Sequence, residues 1–335
     1  DKYLCIGITF SARTSALRTQ NQVDQRLDRR RKGVYGPRLG QQCLVFVDDL
    51  NLPELEVYGA QPPIELLRQL VDNGGWYDLE ENEFRAMEDV QLLTAMGPPG
   101  GGRNLITPRL MRHFNLICFP EFNQATLSRI FGTIMDWFMR SKAFGSELAS
   151  LSKPLVSATL DVFNAAVEHL RPTPTKSHYT FNLRDFSRVV EGVLMGRPDT
   201  VENKESMVRL WLHEVSRVFF DRLVSEDDRH WFLDQQRGMV KRVFGLEFNS
   251  LLGHLASDKE SGEVSGNDMR LLFWGDYLVP DDDKRPYREM SKLSKITSVL
   301  EEYLTDYNMQ SKSQMDLVVF LFFVEHVSRL ARVFK

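Results

Sequence analysis

The sequence is poor in cysteine, carries no strong net charge and has no apolar run long enough to cross a bilayer. Its 335 residues include 3 cysteines, which lie far apart at Cys5, Cys43 and Cys118. This argues against a disulfide framework or a zinc site and favours a reducing compartment. The formal net charge of −4 provides no basic field for nucleic acid. The longest apolar run, residues 317–324, is too short for a membrane span and predicts a buried helix.

Several catalytic signatures are also missing. No Gly-x-x-x-x-Gly-Lys-Ser/Thr motif occurs, so the phosphate cradle of P-loop NTPases is not encoded in these residues. No Gly-x-Ser-x-Gly elbow occurs and the 7 histidines are scattered, which argues against a nucleophilic triad. The glycine loop at residues 97–102 has amides suited to phosphate, but Arg103 and Asn104 follow it in place of Lys and Ser/Thr.

The chain does contain an apolar stretch, residues 44–47, that runs directly into Asp48 and Asp49. A short apolar run without alternation predicts a parallel strand that is buried on both faces. Ligands of open α/β sheets bind at the carboxyl ends of the strands, and carboxylates there suit a hard cation such as Mg²⁺. The alternative is a polar turn after an ordinary strand. A stand-alone metal-dependent hydrolase is disfavoured, because no further acidic or histidine cluster completes a two-metal site.

The alternation of strand and helix patterns predicts an α/β unit up to residue 120, built on a parallel sheet. Strands are expected at 4–10, 44–47, 90–96 and 116–119, helices at 64–72 and from residue 108, and a small hairpin between 76 and 87. The basic stretch 26–32 predicts a solvated surface loop, with a specific polyanion site as the alternative. From residue 124 the periodicity is helical. The predicted helices are 124–141, 153–170, 182–195, 205–224, 227–244, 286–308 and 314–335.

Three arginines on these helices are candidate site residues. Arg109 and Arg112 are three residues apart, so they share a face of a short helix. They predict either an arginine finger that acts across a module boundary or a salt-bridged helix surface. Arg184 projects away from the apolar face of the helix at 182–195.

These features occur in the order found in an AAA+ ATPase module, and longer stretches resemble the third AAA+ module of an axonemal dynein heavy chain. The resembling stretches are 9–15 (TFSARTS), 27–33 (LDRRRKG), 45–51 (VFVDDLN), 58–65 (YGAQPPIE), 95–104 (AMGPPGGGRN), 213–219 (HEVSRVF) and 324–329 (VEHVSR). The resemblance covers essentially the whole chain. It implies a segment of a longer protein that begins just after the Walker A loop of the module and ends in the first helix leading to the fourth module.

The resemblance implies an AAA+ fold in three regions. Residues 1–120 would form the large α/β subdomain without its P-loop, with a parallel sheet that is incomplete at its N-terminus. Residues 121–245 would form the all-α lid, and residues 246–335 a helical and loop extension that links to the next module. The implied ligands are ATP or ADP with Mg²⁺.

The resemblance also implies roles for the acidic pair and the glycine loop. Asp48 and Asp49 match the Walker B carboxylates, and Asp48 would hold Mg²⁺. Asp49 stands where many AAA+ proteins have the Glu that orients the attacking water, and its shorter side chain favours weak hydrolysis. Gly97 falls at the sensor 1 Asn and has no side chain for that role, while Asn104 is too far along the chain to be assumed as a substitute.

For the arginines, the resemblance implies that Arg184 is the sensor 2 residue that reaches the γ-phosphate from the lid. Arg109 or Arg112 would act as an arginine finger on the nucleotide of the preceding module. The chain would thus form a regulatory nucleotide-binding module with slow turnover, and these residues alone are expected to be inactive as an ATPase. The alternative is a purely structural ring module without functional nucleotide.

The parent protein implied by the resemblance is an ATP-driven, minus-end-directed microtubule motor of cilia and flagella. Its partners would be the neighbouring AAA+ modules of the same heavy chain, microtubules through a stalk outside these residues, and dynein intermediate and light chains. It would be cytoplasmic and located in the axoneme. No nucleic-acid or membrane partner is expected.

Overall fold

The chain forms two compact units, Asp1–Pro120 and Glu121–Lys335, each with its own hydrophobic core. The computed structural model describes residues 2–78, 82–100, 102–258, 262–279 and 285–335.

The first unit is built on a 3-stranded parallel sheet. The strands of the unit are β1 (Tyr3–Thr9), β2 (Asp28–Arg31), β3 (Val34–Gly36), β4 (Gln42–Asp48), β5 (Gly75–Tyr77), β6 (Phe84–Met87) and β7 (Val90–Thr94), and its helices are α1 (Ala16–Asp24), α2 (Pro62–Asn73) and α3 (Pro108–Met111). The sheet order is β1-β4-β7, so β4 is central. Thr9 lies opposite Asp48 and Val47 lies opposite Thr94, which brings the carboxyl ends of all three strands to one edge.

Local signals explain where the helices begin and end. The Ser15 hydroxyl accepts a hydrogen bond from the Arg18 N–H at 3.2 Å and caps α1. Helix α2 begins with two prolines, which need no amide partner in the first turn, and ends at Gly74 with a left-handed φ of 68°.

The central strand is buried on one face and partly exposed on the other. Cys43, Val45 and Val47 are at most 1% exposed and belong to the core that includes residues of α1 and α2. On the opposite face Phe46 is 37% exposed and Leu93 of β7 is 51% exposed. The prediction that both faces of this strand are buried was therefore wrong. A run of apolar residues does not by itself distinguish a covered face from an uncovered one.

Two further predictions for this unit were wrong. Residues 116–119 form no strand, and Leu116, Ile117 and Phe119 are each at least 64% exposed. The basic stretch is not a loop throughout, because Asp28–Arg31 forms β2 in a second sheet of order β2-β3-β6-β5. Its charges are matched from a distant part of the chain, as in the 2.6 Å pair of Arg31 with Glu88. The predicted hairpin is confirmed as the antiparallel pair of β5 and β6.

The regular secondary structure of the second unit is mostly helical. Its helices are α4 (Gln124–Ser141), α5 (Ser146–Ala149), α6 (Ser152–His169), α7 (Leu183–Val193), α8 (Lys204–Val218), α9 (Glu226–Met239), α10 (Phe248–Leu252), α11 (Leu293–Gln310) and α12 (Leu321–Phe334). The two-residue strands β8 (Trp274–Gly275) and β9 (Arg288–Glu289) pair antiparallel. The predicted helix at 314–335 begins only at Leu321, and Leu317 and Val318 are 43% and 78% exposed. The expectation of a buried helix over 317–324 was thus wrong in its first half.

One core joins most of the second unit, with Phe186, Trp211 and Phe219 at 0% exposure. The same core continues through α10 to Tyr287, and the predicted boundary at residue 245 stays a prediction. The fold class predicted from the sequence, an α/β unit followed by an all-α unit, is confirmed. Across the described part of the chain, none of the helices combines the length and the apolar character needed to span a membrane.

Candidate functional site

Asp48 is the last residue of β4, at the carboxyl edge of the parallel sheet. Its backbone carbonyl accepts a hydrogen bond from the Phe10 N–H at 3.0 Å, and its Oδ1 accepts one from the Asp49 N–H at 3.0 Å. Within the described ranges, no hydrogen bond is recorded for Oδ2. The half-buried Asp48 carboxylate therefore has an oxygen available at the edge where ligands of parallel sheets bind.

Asp49 turns the chain out of the strand. Its φ is 53°, in the left-handed region that Asp and Asn adopt more readily than most other residues. The next residue, Leu50, donates its N–H to the Ala95 carbonyl at 3.0 Å, so the turn stays anchored to the end of the neighbouring strand. The two carboxylates are thus neighbours in different backbone settings. Asp48 ends the strand, and Asp49 lies in the turn that follows it.

Arg103 lies beside this acidic pair, a contact that the sequence reasoning missed. Its Nη2 donates to Asp49 Oδ1 at 3.2 Å, and the two side chains are 39% and 29% exposed, respectively. The only signal in the sequence was that Arg103 directly follows the glycine loop. In the sequence this arginine indicates a departure from the P-loop pattern and does not predict a contact with Asp49.

The glycine loop brings Arg103 to this place. Gly100 and Arg103 exchange two backbone hydrogen bonds of 3.0 and 3.1 Å, and the φ of Gly100 is 118°. A Cβ on Gly97 would lie 2.8 Å from Arg103 Nε, so the arginine occupies the space of a side chain there. Gly101 of the predicted phosphate-binding loop lies outside the described residues.

The amides of Asn51 and Asn104 brace the loop instead of facing a ligand. Asn51 is fully buried, and its Nδ2 donates to the Gly97 carbonyl at 2.8 Å. Asn104 donates its backbone N–H to the Asn51 carbonyl at 2.9 Å and its Nδ2 to the Pro53 carbonyl at 2.8 Å. The Asn104 side chain is therefore engaged away from the acidic pair.

The two arginines of α3 have different surroundings. Arg112 donates to Asp72 of α2 at 2.9 Å, and His113 is 2.7 Å from the same carboxylate. The hydrogen bond from Arg112 is the largest influence on the pKa of Asp72, which lies below its usual value. Arg109 is exposed, and the described structure records no ion pair for its side chain. Arg109 is thus the freer candidate for contact with a neighbouring module.

Arg184 belongs to the second unit, in the first turn of α7. Its N–H is bound by the Oδ1 of Asn182 at 2.9 Å, as part of a capping box completed by Asp185. The Arg184 side chain is exposed. Asp48 belongs to the first unit, and the approach of Arg184 to a phosphate beside it stays a prediction.

The acidic edge fits a magnesium ion that is held mainly by phosphate and water. No group of three or more His, Cys, Asp or Glu suited to a metal occurs among the residues that the structure describes. Mg²⁺ in nucleotide sites uses one or two carboxylates and takes its other ligands from phosphates and water. Asp48 provides a hard oxygen donor of that kind.

A cavity of about 450 Å³ in the second unit is a less convincing site. It is lined by charged residues that include Arg217, Asp221, Arg270, Glu325 and Arg329. These charges pair with one another, for example Arg270 with Glu325 at 2.6 Å. The cavity is therefore organised by internal ion pairs.

Comparisons with known proteins agree with the two-unit architecture. Residues 1–122 match the family described as "P-loop containing dynein motor region", and residues 155–251 match the family described as "AAA+ lid domain". The first match includes the acidic edge, and the second includes α7 with Arg184. The structure is accordingly an α/β AAA+ core followed by a helical AAA+ lid.

Similar proteins are axonemal dynein heavy chains. Dynein axonemal heavy chain 12 of Homo sapiens is 47% identical over 100% of this chain and 11% of that protein. Dynein axonemal heavy chain 3 of Mus musculus is 48% identical over 98% of this chain and 8% of that protein. The chain thus spans about a tenth of the length of the relatives that it matches.

Proposed function

The chain belongs to the axonemal dynein heavy chain family, and from this premise we propose that it forms most of a regulatory nucleotide-binding module of the motor ring. The module would be the third of the ring and would bind ATP or ADP with Mg²⁺. Its hydrolysis would be weak or slow, so that the bound nucleotide gates movements of the ring more than it drives them.

The acidic pair at the end of β4 is the observation that carries this proposal. Asp48 has a carboxylate oxygen with no hydrogen-bond partner among the described residues, at the carboxyl edge of the sheet, and would hold Mg²⁺ directly or through water. A general base must lie within hydrogen-bond reach of the water that it activates. Asp49 has a shorter side chain than the Glu that orients the attacking water in many AAA+ proteins, and this supports slow turnover.

The other candidate residues complete the module. Arg184 would contact the γ-phosphate from the lid, and its exposed position at the start of α7 leaves it accessible. Arg109 or Arg112 would act on the nucleotide of the preceding module. Arg109 is favoured over Arg112, because its side chain forms no ion pair among the described residues, whereas Arg112 would first have to leave Asp72.

The parent protein would be an ATP-driven, minus-end-directed microtubule motor of the ciliary and flagellar axoneme. The name of each similar protein places that relative among axonemal dyneins. The partners of this segment would be the neighbouring AAA+ modules of its own heavy chain. Microtubules and the intermediate and light chains would be contacted by other parts of the parent protein.

The direct test compares this chain with a segment that is extended upstream through the Walker A loop. We expect the 335 residues to bind ATP weakly and to show no ATPase activity, because they contain no P-loop motif. The extended segment should bind ATP, and Arg184→Ala should weaken that binding. Tight ATP binding by the shorter chain would contradict the prediction that ATP binding depends on the Walker A loop upstream of it. No binding by the extended segment would favour a purely structural ring module.

A further inference from the structure

Arg103 forms an ion pair with Asp49, and its bonding is incomplete. Its contact with Asp49 Oδ1 is 3.2 Å long, whereas hydrogen bonds between guanidinium and carboxylate are generally about 2.7–2.9 Å. Its Nε is buried and has no hydrogen-bond partner in the described structure. The guanidinium therefore keeps donors that Asp49 does not use.

The backbone holds Arg103 in place without the help of Asp49. The paired hydrogen bonds between Gly100 and Arg103 close one side of the loop, and the Asn104 N–H bond to Asn51 fixes the other side. The missing side chain at Gly97 leaves the space that the guanidinium fills. A side chain positioned in this way is able to change partner by a small rotation while its loop stays fixed.

The free donors of Arg103 match the chemistry of a phosphate. The planar fork of an arginine binds two oxygens of a phosphate more specifically than a lysine does. Asp48 would hold a magnesium ion that accompanies the nucleotide and neutralises charge on its outer phosphates. Asp48 ends β4, Asp49 directly follows it, and Arg103 pairs with Asp49 in the same part of the first unit.

We propose that Arg103 contacts the terminal phosphate of a bound nucleoside triphosphate and gives up Asp49 when it does so. With a nucleoside diphosphate, Arg103 stays on Asp49. The terminal phosphate thereby sets whether the second carboxylate is neutralised by the arginine or free to hydrogen-bond water. This inference rests on the proposed function, because it requires a nucleotide beside Asp48.

The test uses the parent heavy chain and measures nucleotide binding at this site, separately from the other nucleotide sites of the protein. Density maps are obtained with ADP and with a non-hydrolysable ATP analogue, each at several concentrations, so that occupancy beside Asp48 gives an affinity for each nucleotide. With the analogue, we expect the Arg103 guanidinium within hydrogen-bond distance of a terminal phosphate oxygen and separated from Asp49. With ADP, we expect the Arg103–Asp49 contact to persist.

Arg103→Met removes the charge and the donors but retains an unbranched side chain. A lost hydrogen bond to a charged group corresponds to about a 10- to 100-fold weaker affinity. We expect that loss for the ATP analogue and less than about a 2-fold change for ADP. Arg103→Lys should fall between Arg103→Met and the wild type. Arg31→Met, which removes an exposed ion pair with Glu88 in the same unit, is the matched control and should change neither affinity.

The outcomes separate this inference from the proposed function. If the nucleotide lies beside Asp48 but Arg103 stays on Asp49 with the ATP analogue, the inference is wrong and the proposed function stands. Equal weakening of both nucleotides by Arg103→Met and Arg103→Lys would show a structural role and also overturn it. If neither nucleotide occupies the edge at any concentration, the proposed function fails and the inference fails with it.

Discussion

Glu214 in the middle of α8 shows how single residues stabilise the helical unit. Its carboxylate is fully buried and is bound by His213 Nδ1 at 3.0 Å, the Tyr287 hydroxyl at 2.8 Å and Arg332 Nε at 2.6 Å. Burial alone would raise the pKa of Glu214, but these partners outweigh it and the pKa lies below its usual value. Burial lowers the pKa of His213 to about 4.

These two groups predict a loss of stability in mild acid. Between pH 6.5 and about 4 the unfolded chain binds a proton at His213 and the folded chain does not. Stability must therefore fall as the pH falls through this range, by up to about 3 kcal/mol for a pKa of about 4 against 6.5. Glu214 adds to the loss below its usual pKa of 4.5, because its folded pKa is lower. Urea denaturation of the chain from pH 7 to 4 measures the slope.

The matched control for this pH dependence is His213→Gln. Glutamine retains a donor for Glu214 but does not titrate, so the variant should lose most of the slope between pH 6.5 and 4. His326 is exposed, and His326→Gln should keep the slope of the wild type. An unchanged slope in His213→Gln would show that another group causes the acid sensitivity.

Gly192 in α7 gives a second prediction at the residue scale. A Cβ at this position would lie 1.9 Å from Glu214 Oε2, so an alanine would displace the buried carboxylate from its partners. We expect Gly192→Ala to destabilise the chain by about 3 kcal/mol. A Cβ on Gly132 in α4 would meet no atom within 4 Å, and Gly132→Ala should stabilise the chain by about 0.5 kcal/mol. Thermal unfolding of both variants checks the contrast, and equal effects would contradict it.

At the candidate site, the sequence predicted which residues follow the strand, but it did not predict the contacts that form when the glycine loop folds back toward them. The position of Asp48 at a strand end follows from the apolar run before it. The contact of Arg103 with Asp49 depends on the bridge between Gly100 and Arg103. No local pattern encodes that approach, because it joins residues 54 positions apart.

At the scale of elements, α12 faces the unit with polar groups as well as apolar ones. Glu325 pairs with Arg270, Ser328 with Tyr277, Arg329 with Asp221 and Arg332 with Glu214. These four residues recur at helical spacing on one side of α12. On the other side, Leu330, Val333 and Phe334 are 57%, 72% and 86% exposed. Polar and charged contacts therefore attach this helix together with the apolar packing around Val324.

Arg332→Met tests this attachment. Removal of one member of a buried pair leaves Glu214 without compensation for its charge, and such changes cost about 3–5 kcal/mol. We expect a loss of this size by chemical denaturation, together with earlier hydrogen exchange of the α12 amides. Arg242→Met is the control, because its 2.8 Å pair with Asp161 is solvent-exposed and contributes at most about 1 kcal/mol. Similar losses in the two variants would contradict the assigned importance of burial.

Helical periodicity was the strongest structural signal in the sequence, and the helix predicted at 124–141 matches α4. Short apolar segments were the weakest signal. Residues 116–119 and 317–320 have the composition of buried elements but are not helix or strand. Composition alone does not show whether a neighbouring surface is in position to bury such a segment.

At the scale of the whole molecule, the change of pattern near residue 120 predicted the fold class. The sequence stretches that resemble axonemal dynein heavy chains predicted the family. The structure divides the described chain after Pro120. The proposed role of Arg184 rests on the resemblance to AAA+ modules, because no residue pattern within either unit bears on it.

ATP turnover is a property of the complete module. In the segment extended through the Walker A loop, Asp49→Asn retains the size of the side chain and tolerates the left-handed φ of 53°. Because the carboxylate of Asp49 is on a shorter side chain than the Glu that orients water in many AAA+ proteins, we expect phosphate release to change by less than about 3-fold, far below the about 100-fold or greater effect expected on removing an effective base. Asp48→Asn is the contrasting variant and should lower magnesium-dependent ATP binding. A drop of about 100-fold in Asp49→Asn would show that Asp49 is an effective base, and the module would then be a hydrolytic site instead of a regulatory one.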